Sequence, residues 1–113
     1  MRWLLRSKIH KAKVTEANLN YIGSITIDED LMEKVDFWAN EKVLVVSNTT
    51  GIRLETYVIK GKRGSGIICM NGATAHLIKK DEELIIMGFE MLGQLIVPKI
   101  ILVDENNKFV KYL

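Results

Sequence analysis

With 113 residues, 48% of them hydrophobic, the chain is long enough for one domain with its own apolar core, and short enough that assembly with further copies would help. Its 16 basic and 14 acidic side chains leave a net charge of +2, too balanced to point to nucleic acid or a membrane surface as partner. The single cysteine, Cys69, rules out an internal disulfide, and no apolar run approaches the roughly 20 residues needed to cross a bilayer. Met1 leads into Arg2, Arg6 and Lys8 rather than an apolar leader, so the expected location is the cytoplasm.

Trp3 to Leu5 and Ile9 to Val14 read as extended segments. In the second, His10, Ala12 and Val14 share one face and Lys11 and Lys13 the other, the pattern of a half-buried strand. Glu16 to Asn20 reads as a turn or helical loop, followed by a strand in which Ile25 and Ile27 alternate with Ser24 and Thr26. Asp28 or Asp30 opens a helix carrying Leu31, Met32, Val35 and Trp38 at helical spacing, with Asp30 and Glu33 as a capping pair. Val43 to Val46 is a buried run, Asn48 to Gly51 a turn, and Ile52 to Ile59 alternates cleanly. There Arg53, Glu55 and Tyr57 face one way and Leu54, Thr56 and Val58 the other.

Lys60 to Gly66 has the glycine separation of a phosphate loop, but Ile67-Ile68 replaces the lysine and hydroxyl that would hold phosphates and magnesium, leaving a flexible basic hairpin. Ile67 to Met70 is a short strand, and Asn71-Gly72 a tight-turn pair. Leu84 to Met87, Ile96 to Val97, Ile100 to Val103 and Phe109 to Leu113 complete the strands, with turns at Asp81-Glu82 and Asn106-Asn107 and a break at Pro98. Many short strands with one or two short helices predict a mostly β fold, best accommodated in a small closed barrel. His10 and His76 stand apart and Cys69 lacks any zinc spacing, so no metal site is expected. Neither a serine-histidine-acid set nor a carboxylate pair can be identified by spacing.

Five separated motifs carry more information together than any one alone. They are Lys8-Ile9-His10; Tyr21-Ile22-Gly23-Ser24; Gly51-Ile52-Arg53 with Thr56-Tyr57; Arg63-Gly64-Ser65; and Asn71-Gly72-Ala73-Thr74-Ala75-His76. In this order and spacing the chain resembles the pyruvoyl-dependent aspartate 1-decarboxylases through Met87. It departs at Val46, where relatives can carry tryptophan; at Thr74, in place of the middle alanine of an Asn-Gly-Ala-Ala-Ala run; and in its short tail.

The resemblance implies a double-psi β-barrel, a homotetramer with active sites between subunits, and production of β-alanine and carbon dioxide from L-aspartate for pantothenate synthesis. It implies that residues 1–113 form a single domain that cuts itself between Gly23 and Ser24 into a β chain, 1–23, and an α chain, 24–113. A maturation helper is possible. Ser24 would become the covalent pyruvoyl group that forms a Schiff base with substrate, with no metal and no pyridoxal phosphate. Thr56 would serve processing as the oxyanion donor and then contact substrate. Tyr57 would be the proton donor, and Lys8 and Arg53 would bind substrate as a point charge and a planar fork. Asn71, Gly72, Ala73 and Thr74 would line the substrate site, with His10 and Tyr21 in support. Read without the resemblance, the same residues are a strand tyrosine, a β-favouring threonine, surface cations and a good turn. A non-catalytic or DNA-binding barrel is the alternative of another class, and decarboxylation of glutamate the alternative within the same chemistry.

Overall fold

The computed structural model describes residues 1–113. Nine strands and two short helices follow in chain order: β1 (Arg2–Lys13), β2 (Glu16–Asn18), β3 (Ser24–Asp28), α1 (Glu29–Val35), β4 (Lys42–Ser47), β5 (Arg53–Gly61), β6 (Ile68–Asn71), α2 (Thr74–Leu77), β7 (Glu83–Leu92), β8 (Lys99–Val103) and β9 (Phe109–Tyr112). The strands lie in the order β2-β6-β3-β5-β4-β7-β1-β8-β9. Because β1 and β2 are successive pieces of chain separated only by Val14 and Thr15, the run from β2 round to β1 closes on itself. Thr15 seals the seam: its N–H and hydroxyl both donate to the Ile68 carbonyl, at 2.8 and 3.1 Å, and its hydroxyl accepts from the Ile68 N–H at 3.0 Å. The molecule is a small, mostly β barrel, as expected, and closure leaves few strand edges to protect.

The barrel is filled by apolar side chains, mostly branched, on the inward faces of the strands, among them Ile9, Ile25, Ile27, Val45, Val58, Ile68, Met70 and Ile86, all fully buried. In β1 the predicted face is corrected by a bulge. Lys11 adopts a positive φ of 66° and the register with β7 shifts between His10 and Ala12, so Ser7 and Ile9 before it and Ala12 and Val14 after it are buried, while His10 turns the other way. One extra residue inverts the alternation, which strict period-two reading cannot anticipate.

Other expectations are also revised. Glu16 to Asn18 is not a turn but a strand pairing parallel with Cys69 to Asn71. The cap of α1 is Asp28, whose carboxylate accepts from the Asp30 N–H at 2.9 Å, rather than an Asp30–Glu33 pair. The helix stops at Val35 because Asp36 takes a left-handed C-cap, so Phe37 enters the core and Trp38 stays 74% exposed. Ile96 to Val97 forms no strand. The loop from Lys62 to Gly66 is tied down: the buried Asp28 accepts from the N–H groups of Gly64 and Gly66, at 3.0 and 2.8 Å, and Arg63 pairs with Glu29, Asp30 and Glu33 on α1. Its guanidinium charge is matched within the chain.

Candidate active site

The site forms where the antiparallel ladder of β3 and β6 meets the loop before β3. Its register pairs Ser24 with Asn71, Ile25 with Met70, Thr26 with Cys69 and Ile27 with Ile68. Alternation sends the four apolar members into the core. Ser24, Thr26, Cys69 and Asn71 are therefore gathered on the opposite face. Ser24 is nonetheless fully buried, although Tyr21 and Ile22 just before it are 52% and 75% exposed.

The Ser24 hydroxyl donates to the Ile22 carbonyl at 3.1 Å and accepts from Nδ2 of Asn71 at 2.9 Å. The same Nδ2 donates to the Thr26 hydroxyl at 2.9 Å, and the Asn71 Oδ1 accepts from the Cys69 thiol at 3.1 Å. Burial, helped by the Glu16 carboxylate, pushes the Cys69 thiol up from its ordinary value, so at neutral pH it is a protonated donor. Thr74 closes the arrangement from α2, its hydroxyl donating to the Asn71 carbonyl at 2.9 Å.

Gly72 is the glycine that the site cannot replace. Its φ is +66°, and its N–H donates to the Asn18 carbonyl at 2.8 Å. A Cβ there would lie 2.7 Å from the Gly23 Cα, 2.7 Å from the Tyr21 carbonyl oxygen and 2.8 Å from the Gly23 nitrogen. Only a residue without a side chain lets the backbone after β6 lie against the Gly23–Ser24 segment. Gly23 itself has neither a positive φ nor a close neighbour, so the position that only glycine can fill is Gly72.

Thr56 and Tyr57 lie on β5, next to β3. Their parallel ladder opens at Ile25 with Val58, so Gly23 and Ser24 enter it beside Thr56 and Tyr57. The fold thus gathers Tyr21, Gly23, Ser24, Thr56, Tyr57, Asn71, Gly72 and Thr74, with Ala73 at the head of α2.

Lys8, His10 and Arg53 lie elsewhere. Lys8 sits in β1 between Met87 and Ile100, and His10 between Ile85 and Leu102. Arg53 starts β5 opposite Val46, roughly 13 Å along the strand from Tyr57 at the usual rise per residue. It lines a cleft of about 940 Å³ with Arg6, Trp3, Trp38 and Phe89, a cleft that Ser24 does not reach. Arg6 is tied to Glu41, whereas neither Lys8 nor Arg53 has an ion-pair partner within the chain. Thr26 and Cys69 escaped the sequence reading. Their signal was the alternation that places them one pleat from Ser24 and Asn71, legible only once β3 and β6 are known to pair.

The family model described as aspartate decarboxylase matches residues 1–110. The chain belongs to the aspartate decarboxylase family. Relatives named aspartate 1-decarboxylase include one from Bacillus cereus, 51% identical over 99% of this chain and 91% of its own length, and another from that species at 52% over the same shares. A third, from Bacillus thuringiensis, is 50% identical with the same coverage. Family membership accounts for the order of the five motifs, and the barrel explains how three of them, far apart in sequence, meet at Ser24.

Proposed function

We propose that this chain is an autoprocessing aspartate 1-decarboxylase that converts L-aspartate to β-alanine and carbon dioxide and so feeds pantothenate and coenzyme A synthesis. The observation that carries the reading is the setting of Ser24 in a chain of this family. It is a fully buried serine at the first position of β3, directly after Gly23 and an exposed loop, with its hydroxyl held by Asn71.

In the proposed processing step the Ser24 hydroxyl leaves the Ile22 carbonyl and attacks the Gly23 carbonyl carbon. The amide C–N bond breaks and an ester forms. Thr56, on β5 two residues before Val58, where the ladder with β3 opens, would donate to the oxyanion that forms on the way, a contact typically worth about 3 to 4 kcal/mol. Removal of the Ser24 α-proton then expels residues 1–23 as a carboxylate. The dehydroalanine left at position 24 takes up water and loses ammonia, giving a pyruvoyl group at the head of residues 24–113. The position fits that group: Ser24 becomes a chain end in a pocket already lined by hydrogen-bonding side chains, and release of residues 1–23 at Gly23 frees the loop that covers it. When present, the group would supply a ketone to condense with the substrate amine and an adjacent amide carbonyl to accept the electrons left as carbon dioxide departs, so no metal or pyridoxal phosphate would be needed.

The remaining residues bind, orient and move a proton. Lys8 and Arg53 provide cations for the two substrate carboxylates, and their lack of internal partners supports that use. Asn71, Gly72, Ala73 and Thr74 position the reacting end through side-chain and backbone groups. Tyr57, on β5 just before Val58, where the parallel ladder with β3 opens, returns the proton to carbon. Tyr21 and His10 support the walls. A single copy holds Arg53 away from Ser24, so the reading includes a homotetramer in which one copy's Arg53 cleft meets another's Ser24. Exposed Trp3, Trp38, Tyr21 and Ile22 supply apolar surface for such contacts. The cytoplasm is the proposed location, and the reading leaves room for a maturation helper.

The test is the intact mass of the protein under denaturing conditions. Two chains dividing at Gly23, the larger lighter by one ammonia than a serine-terminated fragment, are expected. Ser24→Ala should give a folded, uncut, inactive chain, and appreciable decarboxylation by that variant would refute the mechanism. Faster carbon dioxide release from glutamate than from aspartate would reassign the substrate.

A further inference from the structure

The face shared by Ser24, Thr26, Cys69 and Asn71 contains two side chains to which the reaction above gives no task. The Asn71 amide has two N–H donors and one carbonyl oxygen, and its side chain is buried where water cannot compensate a lost partner. Both donors are used on hydroxyls, Ser24 and Thr26, each at 2.9 Å, and the carbonyl accepts from the Cys69 thiol at 3.1 Å. This pattern selects one of the two amide orientations. Turned by half a revolution, the carbonyl would face the two hydroxyls and the NH2 would face a protonated thiol, a poor acceptor. In the observed orientation the amide donates to Ser24 Oγ, and the Ser24 proton is directed to the Ile22 carbonyl. The nucleophile is therefore set by a chain of contacts that begins at Thr26 and Cys69. Neither residue touches the Gly23–Ser24 bond.

We propose that Thr26 and Cys69 are positioning residues for self-cleavage: together they fix the Asn71 amide, which in turn fixes the Ser24 hydroxyl beside the bond it attacks. The proposal rests on Ser24 being the processing nucleophile. The sheet gives it a physical basis, because Thr26 pairs with Cys69 as Ser24 pairs with Asn71, so two alternate rungs of one ladder, on either side of the inward-facing Ile25–Met70 rung, hold all four side chains on one face. A hydroxyl at 26 and a small hydrogen-bond donor at 69 are the chemical requirements.

The experiment follows conversion of freshly purified full-length chain to its two fragments by intact mass over time. Wild type is compared with Thr26→Val, Thr26→Ser, Cys69→Ala and Cys69→Ser, and each variant's thermal midpoint is recorded. Thr26→Val and Cys69→Ala should each slow cleavage by about tenfold, the effect of one lost orienting hydrogen bond. Thr26→Ser and Cys69→Ser, which keep the hydroxyl and the donor, should cleave within about threefold of wild type. In an Asn71→Ala background, adding Cys69→Ala should leave the rate unchanged, because a residue acting only through the amide has nothing left to orient. Wild-type rates for Thr26→Val and Cys69→Ala would overturn the proposal, as would equal slowing by the alanine and serine variants at Cys69. If Thr26→Val or Cys69→Ala fails to fold, the serine variant at that position decides: cleavage within about threefold of wild type supports the proposal, and slower cleavage at an unchanged thermal midpoint would overturn it. A wild-type chain that never cleaves would instead remove the reading of Ser24 on which the proposal rests.

Discussion

Gly72→Ala tests the packing at the cleavage segment most directly. The new methyl would fall within 2.8 Å of three backbone atoms, belonging to Tyr21 and Gly23, where real contacts are ordinarily above 3.4 Å. Alanine at a φ of +66° costs about 1 to 2 kcal/mol, and forcing an extra carbon into a filled space typically adds about 1 to 3 kcal/mol. The sum is about 2 to 5 kcal/mol. At about 4 to 8 °C per kcal/mol for a domain of this size, the unfolding midpoint should fall by at least about 8 °C at fixed protein concentration. Part of that cost can be relieved if the exposed loop carrying Tyr21 and Ile22 moves outward, which would displace Gly23 from Ser24. Stability and cleavage therefore share the penalty. The assay pairs thermal unfolding with the intact-mass time course on the same sample. A variant with an unchanged midpoint and wild-type cleavage would refute the argument that Gly72 holds the scissile segment in place.

Three further outcomes are expected. Asp28→Ala removes three backbone N–H partners, from Asp30, Gly64 and Gly66, and should lower stability by about 3 kcal/mol in urea unfolding, with Asp28→Asn falling between it and wild type. Equal stability of all three proteins would show that the loop is held by Arg63 instead. Tyr57→Phe should still be processed but turn over about 100-fold or more slowly, the scale of a lost general acid, as measured by carbon dioxide release. A rate near that of wild type would remove Tyr57 from proton return. The Glu33 carboxyl is held below its ordinary value of 4.5, chiefly by its hydrogen bond to Arg63. Its pairing therefore favours the folded state above pH 4.5, and this benefit is lost as pH falls through the lowered folded value. Any stability gap between wild type and Glu33→Gln should accordingly appear above pH 4.5, close in acid and shrink with added salt. A gap that widens in acid would contradict the sign.

Much of the strand content and the start of α1 could be read locally, because alternation at Ile25 and Ile27 and the acidic first turn of the helix are properties of neighbouring residues. The same local rules misplaced His10, since a single bulge at Lys11 inverts the faces of β1, and misplaced Trp38, since Asp36 ends the helix one turn early. Lys60 to Gly66 reads locally as a flexible basic hairpin because the partners that tie down its Lys62 to Gly66 part, Asp28 and the acidic side chains of α1, lie some thirty residues away in sequence.

The candidate site divides along the same line. Motif order was enough to single out Ser24, Thr56, Tyr57 and Asn71, because it is written along one dimension and the family resemblance is carried by that order. The role of Thr26 and Cys69 as partners of the Asn71 amide, the close approach of Gly72 to Gly23, and the separation of Arg53 from Ser24 were decided by tertiary structure alone. Each depends on which strand lies beside which and in what register, and pairing between distant segments is set by closing the barrel around a shared core, a property of the whole chain and of no stretch within it.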